Sequence, residues 1–174
     1  MDQRRLVVTV IVAIVVLVAA FAGSQVVLAQ LNQAPEQPIG FTHKTHAGDF
    51  GVECAFCHRN VEKGANASVP AVRQCMFCHS VVKGESAQAQ KEIAKVRAAF
   101  ENEQPIDWMR VHRVPDTVRF IHGAHIRAGF TCATCHGDVA SMTKVEQVRK
   151  LKMGDCVSCH RNNGAPTDCT TCHK

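Results

Sequence analysis

The sequence has no tyrosine, a single tryptophan and eight phenylalanines among 174 residues. That scarcity excludes a core anchored on large aromatic side chains, which dominate the interior of many globular domains. Charge is missing from one long stretch: no ionisable residue lies between Arg5 and Glu36. A solvated surface helix needs a polar face, and this run has none. Residues 6–22 are apolar apart from Thr9 and span about 25 Å as a helix, or about 36 Å if continued to Ala29, enough for a bilayer. Arg4 and Arg5 ahead of the run put the N-terminus in the cytoplasm. Ala20-Phe21-Ala22 resembles a signal-peptide cleavage site, but the apolar run is longer than a usual secretory h-region. The expectation is a retained signal anchor over residues 1–29, followed by a polar, proline-bearing linker over 30–40.

What is abundant is cysteine and histidine, ten of each. All ten cysteines fall in one repeated pentapeptide, C-x-x-C-H, so none remains for a lipid anchor. The first copy is Cys54, Cys57 and His58, and the second Cys75, Cys78 and His79. The third is Cys132, Cys135 and His136, the fourth Cys156, Cys159 and His160, and the fifth Cys169, Cys172 and His173. Two intervening residues space a pair of thiols to form thioethers with the vinyl groups of one porphyrin, and the following histidine reaches the iron from the same side. Zinc ribbons and redox disulfides also use C-x-x-C, but neither needs a histidine in the next position, and five pairs do not divide into four-cysteine zinc sites. The motifs predict five covalently bound haems c.

Five histidines remain, His43, His46, His112, His122 and His125, against five irons that each need a sixth ligand. The count predicts bis-histidine coordination throughout. Methionine is the competing ligand, with Met76, Met109, Met142 and Met153 as candidates for one haem. Past the N-terminal apolar segment about 140 residues would enclose five porphyrins, about 28 per haem, so the cofactors themselves must form much of the core. The formal charge of +5 does not argue for nucleic acid, because each ferric haem with two ionised propionates adds about −1.

The chain is internally duplicated. FTHKTHAGDFGVEC at 41–54 aligns with FIHGAHIRAGFTC at 120–132 after a one-residue gap, and Val61 and Val139 each follow their motif histidine by three residues. This divides the chain into a two-haem module at 41–84, a connector at 85–119 and a three-haem module at 120–174. In the connector, Ile93, Val96 and Phe100 at spacings of three and four predict an amphipathic helix ending before Pro105. Short helical turns should carry the attachment motifs, with loops between them. The fold class is thus a multihaem cytochrome c, mainly irregular with short α-helices wrapped around haems, plus one N-terminal transmembrane helix.

F-x-H-x-x-H ahead of C-x-x-C-H resembles the class III multihaem cytochromes, the c3 and c7 group. That resemblance implies that the first histidine ligates the haem just downstream and the second a more distant one. His43 would then serve the haem on Cys54 and Cys57, His122 that on Cys132 and Cys135, and His46 and His125 would reach others, leaving His112 for the fifth. The anchor, the split of motifs into two and three, and DWMRVHRVPDTVRFIHGAH between them are similar to the pentahaem cytochrome c subunit of bacterial alternative complex III. This implies an electron-transfer subunit without its own catalytic site, anchored by a single pass in the bacterial inner (cytoplasmic) membrane with its haem domain on the periplasmic side. Its implied partners are membrane lipid, iron-sulfur and quinol-oxidising integral membrane subunits, and a periplasmic cytochrome or copper protein as acceptor. A free-standing anchored electron carrier is the main alternative. An oxyanion-reducing enzyme fits less well, since five spare histidines can close all five irons and no C-x-x-C-K motif occurs.

Overall fold

The computed structural model describes residues 2–31 and 34–174, and the chain divides into two compact units, Met1–Ala34 and Pro35–Lys174. In the first unit, helix α1 (Gln3–Leu31) runs two residues past the expected end of the anchor. Its Gln3–Val27 portion has a mean hydropathy of 3.0 and is long and apolar enough to cross a membrane. The large side chains described on it are turned outward, Leu17 being 68% exposed and Phe21 67%. An apolar surface on every side of a helix suits lipid, not water.

Pro35–Lys174 contains short helices joined by irregular chain, and among the described residues the only β-pairing is an isolated antiparallel bridge between Val118 and His173. Each motif lies on its own helical turn: α2 (Cys54–Cys57), α3 (Val72–His79), α6 (Cys132–His136), α7 (Met153–Asn162) and α8 (Cys169–Cys172). One turn of helix brings i and i+3 to the same face, which points both thiols of a C-x-x-C pair the same way. The two F-x-H-x-x-H copies are helical as well, as a π-helix over Lys44–Asp49 and as α5 (His122–Arg127).

The connector helix α4 (Ala87–Glu101) starts at Ser86, whose hydroxyl accepts the Ala89 amide at 3.1 Å. It stops three residues before the expected Gln104. The Asn102 side chain takes the Ala98 carbonyl at 2.7 Å and Glu103 turns to φ +54°, which ends the winding before Pro105 is reached. α4 packs on α3, and Arg97 Nε donates to the His79 carbonyl at 2.8 Å, tying the connector to the second motif.

The segment expected as a linker, 30–40, can be followed in part. Asn32 and Gln33 lie outside the described residues, but residues 35–40 are built into the domain. Gln37 exchanges two hydrogen bonds with the Met109 backbone at 2.9 and 3.0 Å, and the Gly40 amide donates to Glu92 at 2.8 Å. That amide, with Lys95 second, holds the Glu92 carboxyl below its usual range. Ile39 is only 6% exposed. One buried apolar side chain and one primary amide with both donor and acceptor are enough to dock a segment whose composition reads as a tether.

Candidate haem-binding site

Among the described residues of Pro35–Lys174, only Ile39 and Val96 are buried hydrophobic side chains. Two residues cannot supply the apolar burial that folds about 140. The helices therefore surround something other than each other.

The thiols stand separately, in no disulfide. Cys54, Cys75, Cys132, Cys156 and Cys169 begin the five pairs, and Cys57, Cys78, Cys135, Cys159 and Cys172 complete them one turn later. Cys78 is exposed, while Cys135 and Cys159 are half-buried. The Cys159 sulfur also receives the Asn163 side-chain amide at 3.7 Å. Burial, the leading cause at each, pushes the Cys57, Cys75, Cys132 and Cys156 thiols above their ordinary pKa. Redox and nucleophilic cysteines are shifted the opposite way. No three His, Cys, Asp or Glu side chains among the described residues converge as a zinc site requires. The histidines instead converge in twos.

With metal–nitrogen bonds of about 2 Å and about 1.1 Å from nitrogen to ring centre, two imidazoles trans on one iron have centroids about 6.2 Å apart. His43 and His58 lie 6.4 Å apart, His46 and His79 6.1 Å, His122 and His136 6.3 Å, and His125 and His160 6.1 Å. Each pair joins a motif histidine to one from an F-x-H-x-x-H copy. The first histidine of each copy pairs with the motif just downstream, and the second with the motif after that. His43 and His46, although three residues apart on one turn, thus face different partners.

The nitrogens are prepared for this. In His58, His79 and His160, Nδ1 meets the Ser68, Val82 and Pro166 carbonyls at 2.5, 3.2 and 2.5 Å. In His46, His122 and His125 it meets the Thr42, Ala65 and Ile121 carbonyls at 2.9, 2.5 and 2.9 Å. A carbonyl on Nδ1 holds the proton there and leaves Nε2 as a lone-pair donor, as metal-ligating histidines require. Burial first, then the neighbouring His58 and His46, lowers the His43 pKa to about 4. His136 is lowered to about 4 by burial and then by His112, His122 and His58. Both rings are therefore neutral and free to donate at neutral pH.

Two residues that sequence reasoning passed over orient the distal rings. Phe41 stacks on His46 at 4.4 Å and meets His43 edge-on at 4.9 Å; Phe120 does the same to His125 at 4.7 Å and His122 at 4.8 Å. The repeated spacing of the Phe within F-x-H-x-x-H was the signal for it.

The fifth motif behaves differently. His173 forms no ring pair with another histidine at this separation among the described residues. His112 lies with its ring centre 4.4 Å from that of His136 and nearly perpendicular to it, too close for the two to share an iron. Its Nε2 is nevertheless buried with no hydrogen-bond partner. The chain beyond it is bonded to the last motif, Arg119 N donating to Cys172 O at 2.7 Å and Lys174 N to Thr117 O at 3.2 Å. Of the methionines offered as alternatives, Met109 and Met153 are exposed, at 57% and 68%.

Paired thiols on single turns, imidazoles opposed at one repeated separation and a domain almost without a side-chain core together define a multihaem c-type cytochrome, an electron carrier. The class III cytochrome C family matches residues 22–113, and the family of cytochrome c7 and related cytochrome c matches residues 118–174. The chain belongs to the class III cytochrome c family. It is 31% identical over 170 residues to the menaquinone reductase multiheme cytochrome c subunit of Nitratidesulfovibrio vulgaris (strain Hildenborough), an alignment covering 83% of this chain and 80% of the relative.

Proposed function

We propose that this protein is the membrane-anchored, five-haem electron-transfer subunit of a quinone-linked oxidoreductase. The four imidazole pairs carry the reading. Each haem, when bound, supplies a one-electron iron couple. Two imidazoles held for each iron would leave the metal no open position, so the paired histidines would keep oxygen and small oxyanions from it and give the chain an electron-carrying role. The carbonyls on Nδ1 and the phenylalanine rings hold the ligands in place, which keeps structural change on oxidation small. Differences in burial and hydrogen bonding around each site set its potential.

The similarity to a menaquinone reductase subunit supports a complex that exchanges electrons with quinone. An alternative complex III type of assembly is the specific form proposed, with α1 in the inner membrane and the haem domain on the periplasmic side. Iron-sulfur and quinone-reactive membrane subunits would be its neighbours, and a periplasmic cytochrome or copper protein its acceptor. The thioethers are assigned to Cys54 with Cys57, Cys75 with Cys78, Cys132 with Cys135, Cys156 with Cys159, and Cys169 with Cys172. For the fifth iron, held through Cys169, Cys172 and His173, we assign His112 as sixth ligand, on its unpartnered buried Nε2 and the pairing of residues 117–119 with 172–174.

Native membranes solubilised in mild detergent test the function. The expected result is copurification with an integral-membrane quinone-reactive subunit and five haems per chain by haemochrome assay. Recovery as a single monodisperse chain would establish the solitary carrier instead. Adding quinol or quinone to the purified complex and watching the haem band gives the direction: reduction by quinol supports the alternative complex III form, whereas oxidation of reduced haem by quinone supports a quinone reductase. For the fifth site, His112→Met should alter the spectrum of one haem, and an unchanged spectrum would point to a methionine ligand.

A further inference from the structure

The two copies of the duplicated segment do not simply follow one another; they clasp. On the first copy's π-helix, a Cβ at Gly48 would collide with the Ala140 carbonyl, and Lys44 N donates to Met142 O at 2.9 Å. On the second copy's α5, a Cβ at Gly123 would collide with the Glu62 carbonyl, Arg127 donates to that carbonyl at 3.1 Å, and His122 reaches Ala65 O. Glu62 and Ala140 are equivalent, each four residues after its first motif histidine, and Gly48 and Arg127 are equivalent, each five after its first distal histidine. Each copy's helix therefore leans on the same carbonyl of the other copy. Contact of i with j matched by contact of j with i is the signature of a two-fold axis. Residues near such an axis meet their own equivalents. Cys54 and Cys132 are equivalents, and the Cys132 pKa is raised by burial and then by the neighbouring Cys54 thiol.

The remaining sites extend outward from this junction. Arg59 lies over both Phe56 and Phe77, at 5.8 and 5.9 Å, bridging the first motif to the second. In the second module, His122 and His125, three residues apart, bind the third site to the fourth. His160, through Pro166, leads to the fifth, and the Cys172 thiol, after burial, raises the Cys156 pKa.

Resting on the reading that these sites carry haems, we infer that a pseudo-two-fold axis passes between Cys54 and Cys132. From this axis the first four sites run in the spatial order Cys75/Cys78, Cys54/Cys57, Cys132/Cys135, Cys156/Cys159, with the first two motifs exchanged relative to the chain. The axis also sorts the ligand pairs into two classes. His43/His58 and His122/His136, beside the axis, are nearly parallel at 7° and 10°; His46/His79 and His125/His160, outside them, are crossed at 67° and 53°.

Anomalous diffraction at the iron edge on the intact haem-loaded protein tests the order. The shortest iron–iron distance between modules should join the Cys54/Cys57 and Cys132/Cys135 sites; any other inter-module pair being shortest overturns the arrangement. Electron paramagnetic resonance of the oxidised protein tests the classes, because parallel imidazoles give rhombic low-spin signals and crossed ones a strongly anisotropic signal. His43→Met and His122→Met should each remove rhombic intensity, and His46→Met and His125→Met the anisotropic feature. The reverse assignment, or loss of the same signal in all four, refutes the classes. Haem content and copurification judge the proposed function separately, so either idea can fail alone.

Discussion

The two modules make the same ligand geometry from chains of different length. From the distal phenylalanine to the first thiol the first copy uses fourteen residues and the second thirteen. The extra residue is absorbed where Lys44–Asp49 winds as a π-helix, with Phe50 N reaching back five residues to Thr45 O at 3.1 Å, while the second copy stays α-helical over His122–Arg127. A one-residue insertion into a helical segment is ordinarily accommodated in this way. What is preserved across the difference is the stack of Phe41 or Phe120 on two histidines and the trans spacing of the pairs. Ligand geometry is thus the property held constant, and backbone winding is the variable that adjusts to it.

The comparison is broken most strongly by removing a ligand from one copy only. His43→Met should raise the potential of the haem on Cys54 and Cys57 by a substantial part of the roughly 0.8 V that axial ligands span, and His122→Met that of its equivalent on Cys132 and Cys135. His46→Met should raise a different haem from His43→Met. Potentiometric titration of the haem band would show one displaced component per variant; no displacement, or the same component displaced by His43→Met and His46→Met, contradicts the pairing.

A smaller effect is expected where the copies clasp. Gly48→Val and Gly123→Val each force a side chain against a backbone carbonyl, a form of overpacking that costs about 1–3 kcal/mol. Thermal unfolding of the haem-loaded protein should show both losses, and the double variant should fall short of their sum if the two contacts belong to one interface. Smaller again is Phe41→Leu, which removes ring stacking of about 0.5–1.5 kcal/mol and should be matched by Phe120→Leu. If only one of the two lowers the melting temperature, the modules are less alike than their ring contacts suggest.

The smallest expected effect sharpens the comparison. Deleting Asp49 gives the first copy the length of the second. It removes an exposed ion pair with Lys44, 2.8 Å long and of little energetic value, and should let the π-helix relax to an α-helix. The haem spectrum should be unchanged, and the appearance of a high-spin component would mean that the π turn is needed for ligation.

Much of this was legible in the order of residues because covalent attachment is a local event. C-x-x-C-H needs one helical turn and nothing from elsewhere in the chain, so the turns that carry Cys78, Cys135 and Cys159 one winding after their partners could be placed in advance. The apolar N-terminal helix and the connector helix were equally local. The resemblance of F-x-H-x-x-H to class III cytochromes likewise carried which histidine faces the downstream motif. Three things depended on contacts between distant residues. Residues 35–40 look like a tether, yet dock through Gln37, Ile39 and Gly40 onto groups more than fifty positions away. His112 was assigned by subtraction alone; its ring stands against His136 and its Nε2 is buried without a hydrogen-bond partner, both results of tertiary contacts. The reciprocal clasp of Gly48 on Ala140 and Gly123 on Glu62 has no local signal, because a glycine that permits close approach reads the same as one in a loop. Local chemistry decides what each segment can bind; which sites become neighbours is decided by where the segments meet.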